Sequence, residues 1–485
     1  MFIHLFIVSE LRIAVSFDVY KMSQTKVIWY THSMELNQKK IAIIGYGVVG
    51  KAATRYLVQQ AGAITIFDRQ NWGALKQEEK DFLEKSQVVF KGGVEETDDL
   101  ISFDLIISSP GISRYRKDIT RAEKKGVPVY TDVTLFLEQW NGSGKIVGVT
   151  GSNGKSTVVS LFEEALKASG NPVLMGGNIG NSPLEWLTDD KSPQDATIVL
   201  ELSSYMLEYF NKKHILDVSV IISFSQNHLS RHGNLEEYAR VKTAGIYPGK
   251  TQVYLGDTEG IRRYVAPLLG GQEVTFVDLE RSLELIGDTS KVKMLGEHNL
   301  LNIGLVAKTL QDMDLYNDQA GFALENYRGL DHRIEFVVES RKIRFINDSK
   351  STSPDATVKA LEAVASSEGK VILIAGGVDK GVTYESWKPY FDSGGIRLLV
   401  LLPGPADVEL TLLAETCGVE AISVEYQESQ SNLELMQKSV RYAQKNAQAG
   451  DVILLSPGAA SLNLWSGFEA RGDDFIQAVR GRVSS

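Results

Sequence analysis

Thr150-Gly151-Ser152-Asn153-Gly154-Lys155-Ser156-Thr157 has the residue types and spacing of a phosphate-cradling loop. Gly151 and Gly154 can take positive φ and leave room for a phosphate against the backbone, and Lys155 with Ser156 would open a helix whose N-terminus favours anions. In such a loop the lysine reaches the terminal phosphates and the serine hydroxyl sits where a phosphate-bound Mg²⁺ is held. Only Ser152 and Asn153 separate the two glycines, which departs from the common G-x-x-x-x-G-K-[ST] form. The alternative is an ordinary glycine-rich turn before a helix. The flanks favour a nucleotide: Lys145 to Val149 is a β-rich run, and Val158, Val159, Leu161, Phe162, Ala165 and Leu166 recur at helical period.

Further chemistry lies downstream. Glu201 follows the apolar run Thr197 to Leu200; an unpaired carboxylate there is costly to bury, so it should face a cation, or else a salt-bridge partner. His228 and His232 follow the strand Val218 to Ser223 in a polar loop, and a histidine beside a phosphate-binding strand is a candidate metal ligand. Lys242, one turn after Tyr238 in a helix over Asn234 to Ile246, reads as an ordinary snorkelling lysine. Met175-Gly176-Gly177-Asn178-Ile179-Gly180-Asn181 is glycine-rich and too polar for a strand, and the helix opened by Gly296 to Asn302 carries polar side chains that could contact a base or ribose. Polar clusters also end strands late in the chain, at Asn347-Asp348-Ser349-Lys350, at Asp379-Lys380-Gly381 and at Ser456 to Ser461.

Nearer the start, Gly45-Tyr46-Gly47-Val48-Val49-Gly50 joins a buried strand to a helix, and a second strand ends at Asp68, the place that binds a ribose hydroxyl in dinucleotide folds. The pattern does not separate a redox dinucleotide from another nucleotide diphosphate. Ser109 and Gly111 stand in a Ser-Pro-Gly turn after a third strand, either at the ligand edge of a parallel sheet or merely in a tight turn.

Strands alternating with helices, with Gly, Ser or Lys at the strand ends, predict parallel sheets whose carboxyl edges carry the site. The expected class is α/β in three domains: a Rossmann-like unit over 39–143, a central P-loop ATPase-type unit with a parallel sheet over 144–328, and a C-terminal Rossmann-like unit over 329–485. A chain of 485 residues exceeds one ordinary core. The net charge of −10 argues against a broad nucleic-acid surface, and the lone Cys417 excludes a disulfide framework and fits a reducing compartment. The apolar start Met1 to Val8 has no basic n-region, is followed by Glu10 and no cleavage site, and is too short for a bilayer. Residues 1–38 are therefore expected to be a non-native or disordered extension, with the true start at Met22 or Met34; a docked extra strand is the alternative.

Taken together, the Thr150–Thr157 loop, Gly176 to Gly180, Leu200-Glu201-Leu202-Ser203-Ser204, Asn227-His228-Leu229, His332-Arg333, Asn347 to Lys350 and Ser456 to Gly472 resemble the Mur ligase family of peptidoglycan synthesis from about Lys40 to the C-terminus. Ser461-Leu462 with Phe468-Glu469-Ala470-Arg471-Gly472 is similar to its D-glutamate-adding branch, and the Asp-Asn-Pro-Arg stretch of the diaminopimelate-adding branch is absent. The resemblance implies ATP-driven amide formation between UDP-N-acetylmuramoyl-L-alanine and D-glutamate through an acyl phosphate. It places Gly151 to Thr157, Asn302, Arg333, Asp348 and Lys350 on ATP, with Lys350 near the transferred phosphate. Ser156 and Glu201 would hold one Mg²⁺ and His228 a second, with Lys242 carbamylated beside them. The substrate's UDP part would meet Gly47, Val48, Val49, Asp68, Arg69, Ser109, Gly111, Asn178 and Ser203. D-glutamate would meet Lys380, Ser461, Leu462 and Phe468. Asn227, Ser230 and Met206 depart from the family, which often has acidic residues around the histidine and a glutamine at the third position. The implied protein is a cytoplasmic monomer with small-molecule substrates, no nucleic acid and no membrane span. Competing readings are another Mur ligase, a folylpolyglutamate-type ligase, an NAD(P) oxidoreductase built on the first domain, and a catalytically silent nucleotide binder.

Overall fold

A computed structural model describes residues 35–189, 191–294, 296–364, 369–378, 383–427 and 429–483. Of the extension expected over residues 1–38, residues 1–34 lie outside the described residues, and so does Lys380. Leu36 packs in the first core at 4% exposure.

Three sheets follow one another along the chain. The first holds β1 (Lys40–Ile44), β2 (Ala63–Asp68), β3 (Val89–Gly92), β4 (Leu105–Ser108) and β5 (Val129–Tyr130) in the order β3-β2-β1-β4-β5, all parallel. Ile41, Ala42, Ile43 and Ile44 are buried without alternation, as expected when helices cover both faces of a parallel sheet. Two glycines explain the turn after β1. Gly45 has φ +87°, and a Cβ on Gly50 would lie 1.9 Å from the Gly45 carbonyl oxygen, so the Val48–Leu57 helix packs directly against the strand end.

The second sheet holds β6 (Ile146–Thr150), β7 (Val173–Gly177), β8 (Thr197–Glu201), β9 (Val218–Ile221), β10 (Gln252–Gly256) and β11 (Val274–Val277), in the order β11-β10-β9-β6-β8-β7, again all parallel. The central strand β6 lies between β8 and β9, and the crevice where strand order reverses is where ligands enter open α/β sheets. Register brings the pieces level: Val149 pairs with Glu201, and Thr150 with Ile221.

The third sheet departs from the all-parallel expectation. It holds β12 (Glu335–Ser340), β13 (Ile343–Asn347), β14 (Val371–Gly376), β15 (Ile396–Leu402), β16 (Glu420–Ser423) and β17 (Val452–Leu455) in the order β12-β13-β17-β14-β15-β16, with β12 antiparallel to β13. Only Arg341 and Lys342 connect them, at φ +54° and +62°, a two-residue hairpin with the positive-φ pair such turns demand. A parallel crossover needs a dozen or more residues. Neither residue is Gly, Asn or Asp, so no turn signal marked the hairpin in the sequence.

Hydrophobic packing groups the three units unequally. One core cluster joins Ile41, Tyr46, Leu57 and Phe136 of the first unit to Leu184, Leu200, Leu202 and Leu216 of the second. The third unit has its own clusters, around Leu373, Trp387 and Leu399 and around Ile372, Val400 and Phe475. Among the described residues no helix is long and apolar enough to cross a membrane.

Candidate active site

The phosphate loop takes the predicted form. Gly154, at φ +83°, is the left-handed residue that starts the Lys155–Ala168 helix. The loop is braced from the end of β9: the Ser152 N–H donates to the Ser223 carbonyl at 2.9 Å and the Asn153 N–H to Ser223 Oγ at 3.0 Å, while Ser152 Oγ donates to the Ser225 carbonyl and accepts its N–H. Lys155 Nζ donates to the Gly151 and Ser152 carbonyls at 3.0 and 3.3 Å. Burial holds its pKa below the usual lysine value; Glu201 opposes that shift and Arg333 adds to it. Asn302 belongs to this loop, because a Cβ on Gly154 would lie 3.2 Å from Asn302 Oδ1. Ser156 and Thr157 occupy the first turn of the helix.

Glu201 ends β8 at 2% exposure. Asn178 Nδ2 donates to its Oε1 at 2.8 Å, while Oε2 is buried and has no hydrogen-bond partner among the described residues. Gly177 makes the approach possible, since a Cβ there would fall 2.4 Å from the Glu201 carbonyl oxygen. A buried carboxylate oxygen left over in this way suits a cation.

His228 starts the short Leu229–His232 helix at φ +53°, with Nδ1 3.2 Å from the Tyr205 hydroxyl. Burial and the charges of Lys155 and Lys242 depress its pKa, so the neutral, ligating imidazole is favoured. Lys242 is not the solvated residue its sequence suggests. Only 1% exposed, it ends the Leu235–Lys242 helix with Nζ 2.9 Å from the Gly151 carbonyl, 3.3 Å from Thr150 Oγ1 and 4.7 Å from the Tyr238 ring centre. Burial first, and the Lys155 charge second, hold its pKa well below the ordinary lysine value. Among the described residues no three His, Cys, Asp or Glu side chains gather into a metal cluster. A divalent ion beside Glu201 and His228 would therefore take further donors from bound phosphates, from water or from a modified Lys242.

The third unit turns several of the expected residues toward the loop. The charges of Arg333 and Glu201 both bear on Lys350, whose pKa is lowered chiefly by burial, and Arg333 bears on Lys155 as well. Lys350 Nζ lies 3.8 Å from the centre of the Phe468 ring. The stretch around Arg333 is strained: His332 and the β-branched Ile334 have φ of +62° and +47°, at a cost of about 1–3 kcal/mol each. Asp348 holds it in place. Its Oδ1 accepts the Ile334 N–H at 3.2 Å and its Oδ2 the Ser456 hydroxyl at 2.7 Å, and burial pushes its carboxyl up to about 6. Ser461 is buried and Leu462 is 73% exposed. Arg471, fully buried, donates to the Ser349 hydroxyl and carbonyl and to the Ala459 carbonyl, tying the Phe468–Val483 helix to the Lys350 loop.

His332 also explains Gly472. A Cβ on that glycine would lie 2.2 Å from His332 Nδ1, which sits 2.9 Å from Asn347 Nδ2. Gly472→Ala is expected to destabilise the chain by about 1–3 kcal/mol through overpacking, although alanine is the better helix former. Urea unfolding checks this; an unchanged or higher midpoint would remove the steric argument.

The first-unit residues form a separate group at the carboxyl edge of their own sheet. Val48 is 76% exposed at the start of its helix, and a Cβ on Gly47 would meet open space. Both Asp68 oxygens accept backbone N–H groups, from Tyr46 and Gln70, and Arg69 pairs with Glu95 at the surface. Ser109 Oγ donates to the Gly45 carbonyl at 3.3 Å. Ser203 caps the Ser204–Leu207 helix, accepting the Met206 N–H. Arg231 ties this group to the central unit: its guanidinium bonds the carbonyls of Pro110, Gly111 and Ile112 and the carboxylate of Glu208. No local signal distinguishes Arg231, Tyr205 or Glu208 in the sequence, since their partners lie up to 121 positions away.

Family models described as Mur ligase MurD-like N-terminal domain, Mur ligase middle domain, and Mur ligase glutamate ligase domain match residues 39–131, 149–310 and 332–458. The UDP-N-acetylmuramoylalanine–D-glutamate ligase of Caldanaerobacter subterraneus subsp. tengcongensis is 31% identical over 462 residues, covering 92% of this chain and 99% of the relative. The ligase of the same name from Pseudoalteromonas translucida is 30% identical, covering 92% and 98%. Among solved structures, the MurF ligase of Thermotoga maritima in complex with ADP matches with TM-score 0.53 at 17% identity over 93% of this chain and 97% of that one. The UDP-N-acetylmuramate-alanine ligase MurC of the same organism matches with TM-score 0.52 at 16% identity over 92% and 100%. These two likenesses establish the three-part α/β fold.

Proposed function

The chain belongs to the Mur ligase family, and from that premise we propose that it joins D-glutamate to UDP-N-acetylmuramoyl-L-alanine with ATP cleaved to ADP and phosphate, as a cytoplasmic enzyme acting alone. The observation that carries the reading is the meeting of Lys155, the unpartnered oxygen of Glu201 and the buried amine of Lys242 around one phosphate loop. The names of the relatives, together with Ser461 and with Phe468 beside Lys350, support D-glutamate as acceptor.

A carboxylate resists attack by an amine until it is activated. In the proposed sequence a carboxylate oxygen of the alanyl group attacks the γ-phosphorus, the bond to the bridging oxygen breaks, and ADP leaves with that electron pair. The amine of D-glutamate then attacks the acyl carbon, phosphate departs with the C–O electron pair, and the nitrogen sheds a proton to the medium. Negative charge builds on the phosphoryl oxygens in the first step and on the acyl oxygen in the second, so fixed cations lower both barriers. Lys155 and Lys350 supply two of them, Lys155 from the loop and Lys350 from the third unit, with Asn302, Arg333 and Asp348 around the nucleotide.

Ser156 and Glu201 would hold one Mg²⁺ and His228 with Lys242 a second. When bound, these ions would screen the phosphates and polarise the carboxyl group. Lys242 fits that role only after modification, because an ammonium would repel a dication. Its depressed pKa leaves the amine lone pair free to add to CO₂ with release of one proton, which turns the side chain into an anion. The first unit would hold the UDP part through Gly47 to Val49, Asp68, Arg69, Ser109 and Gly111, with Asn178 and Ser203 nearer the alanyl end. Lys380, Ser461, Leu462 and Phe468 would receive D-glutamate.

The test is phosphate release from UDP-N-acetylmuramoyl-L-alanine, ATP and Mg²⁺ against a panel of D-glutamate, L-alanine, L-lysine and D-alanyl-D-alanine. D-glutamate alone should support turnover. Preference for another acceptor would move the chain to a sister ligase, and NADH binding without ATP turnover would overturn the reading.

A further inference from the structure

Arg231 makes no hydrogen bond to the phosphate loop, yet it joins the two halves of the proposed substrate site. Its Nη1 donates to the Gly111 carbonyl at 3.1 Å and its Nη2 to the carbonyls of Pro110 and Ile112 at 3.3 and 3.0 Å, all in the first unit. From the other side, Nε and Nη2 grip the Glu208 carboxylate of the central unit at 3.0 and 2.6 Å. The guanidinium carbon stands 4.5 Å from the centre of the Tyr205 ring, and the Tyr205 hydroxyl reaches His228 Nδ1 at 3.2 Å. Arg231 is three positions after His228 and is nearly enclosed, its side chain 12% exposed against a fully buried Glu208.

We infer that Arg231 is a positioning residue that fixes the span between the first-unit loop around Gly111 and His228, through the three loop carbonyls on one side and Tyr205 on the other. The inference rests on the ligase reading, in which the UDP end of the substrate lies at that loop and the reacting carboxylate lies near His228. Only a planar fork with five donors can satisfy three carbonyls and a carboxylate at once; an ammonium has three donors and no plane to lay on Tyr205. A second tie, Tyr209 Oη donating to the Ile112 carbonyl at 2.9 Å, keeps the loop attached without reaching His228. Losing the Arg231 fork should therefore loosen the span and leave the units joined.

The experiment compares Arg231→Lys with Arg114→Lys in the full chain. Arg114 also crosses between the units, through Nη1 to the Glu208 carbonyl, but bonds neither the 110–112 carbonyls nor Tyr205. Arg231→Lys keeps a charge opposite Glu208, which guards against misfolding. It should lower kcat/KM for the UDP substrate by about a hundredfold, the loss expected of a roughly 1 Å misplacement, with a raised KM for that substrate and an unchanged KM for ATP. Arg114→Lys should lower Tm without splitting the two KM values. The same KM pattern in both variants, following their Tm values, or an unchanged UDP-substrate KM in Arg231→Lys, overturns the inference. Tyr205→Phe added to Arg231→Lys should cost little more than Arg231→Lys alone, as for residues in one chain of contacts; fully additive losses in kcat would remove Tyr205 from the link. The unaltered protein is run in parallel. If it releases no D-glutamate-dependent phosphate, the ligase reading fails; if it is active and Arg231→Lys matches it, only the positioning role fails.

Discussion

Lys155→Ala is expected to lower kcat by about 10³-fold, the upper range for removing one preorganised donor from a site where negative charge develops. The ammonium lies over the Gly151 and Ser152 carbonyls, half-buried at the mouth of the loop, where its interaction with a phosphate is screened less than in open water. Steady-state phosphate release checks the loss, and near-native activity would refute the phosphate role. The variant carries a second readout that does not depend on turnover. The Lys155 charge helps hold the pKa values of both His228 and Lys242 down, so its removal should raise both. His228 would then stay protonated to higher pH than in the unaltered chain, which NMR titration of its ring can follow. The sign also sets a pH effect on stability. A histidine whose folded pKa lies below the ordinary value of about 6.5 disfavours the charged form, so its penalty grows as pH falls through that value. Lys155→Ala should reduce the penalty.

Lys242→Ala is the second large expectation: activity falls to background and returns in part when a short carboxylate such as acetate or formate is added. The physical ground is the mismatch between the residue and its place. A lysine at 1% exposure, near another ammonium and near His228, is a poor neighbour for a dication unless it becomes anionic. Alanine leaves a cavity where the butyl chain lay, and a small carboxylate can enter it and replace the lost charge. Lys242→Met separates charge from packing, since it fills the space and should be rescued poorly. Rescue of Ala by carboxylates and not by neutral isosteres such as acetamide supports the carbamate, and inactivity without any rescue leaves that assignment without support. Mass spectrometry at raised bicarbonate should show 44 Da on the unaltered chain by the carbamate stoichiometry, a readout independent of activity.

Several features were legible because they are local. The phosphate loop needs a left-handed residue just before a helix, and Gly154 advertised it; the helix after it and the strand before it follow from period and β-rich composition. The turn of Gly45 to Gly50 and the three-unit order of strands and helices were equally readable. The place of Glu201 at the end of an apolar strand is also legible locally, and among the described residues its Oε2 has no hydrogen-bond partner.

Other features depended on contacts that no window of sequence contains. Lys242 read as a solvated lysine because its helix has polar neighbours; only the packing of that helix under the loop buries its amine against Gly151. The antiparallel β12 was hidden because Arg341 and Lys342 adopt positive φ without the usual turn residues, held there by pairing with β13. Asp68 stood at the ribose position, yet its oxygens accept N–H groups of Tyr46 and Gln70. By itself the sequence determined the backbone conformations and periodicities that recur within a few residues, and with them the phosphate loop, the α/β class and the family. The tertiary structure decided which charges meet. Burial and long-range hydrogen bonding are properties of the packed chain, and they make Lys242 a depressed amine and Arg231 one of the ties between two units.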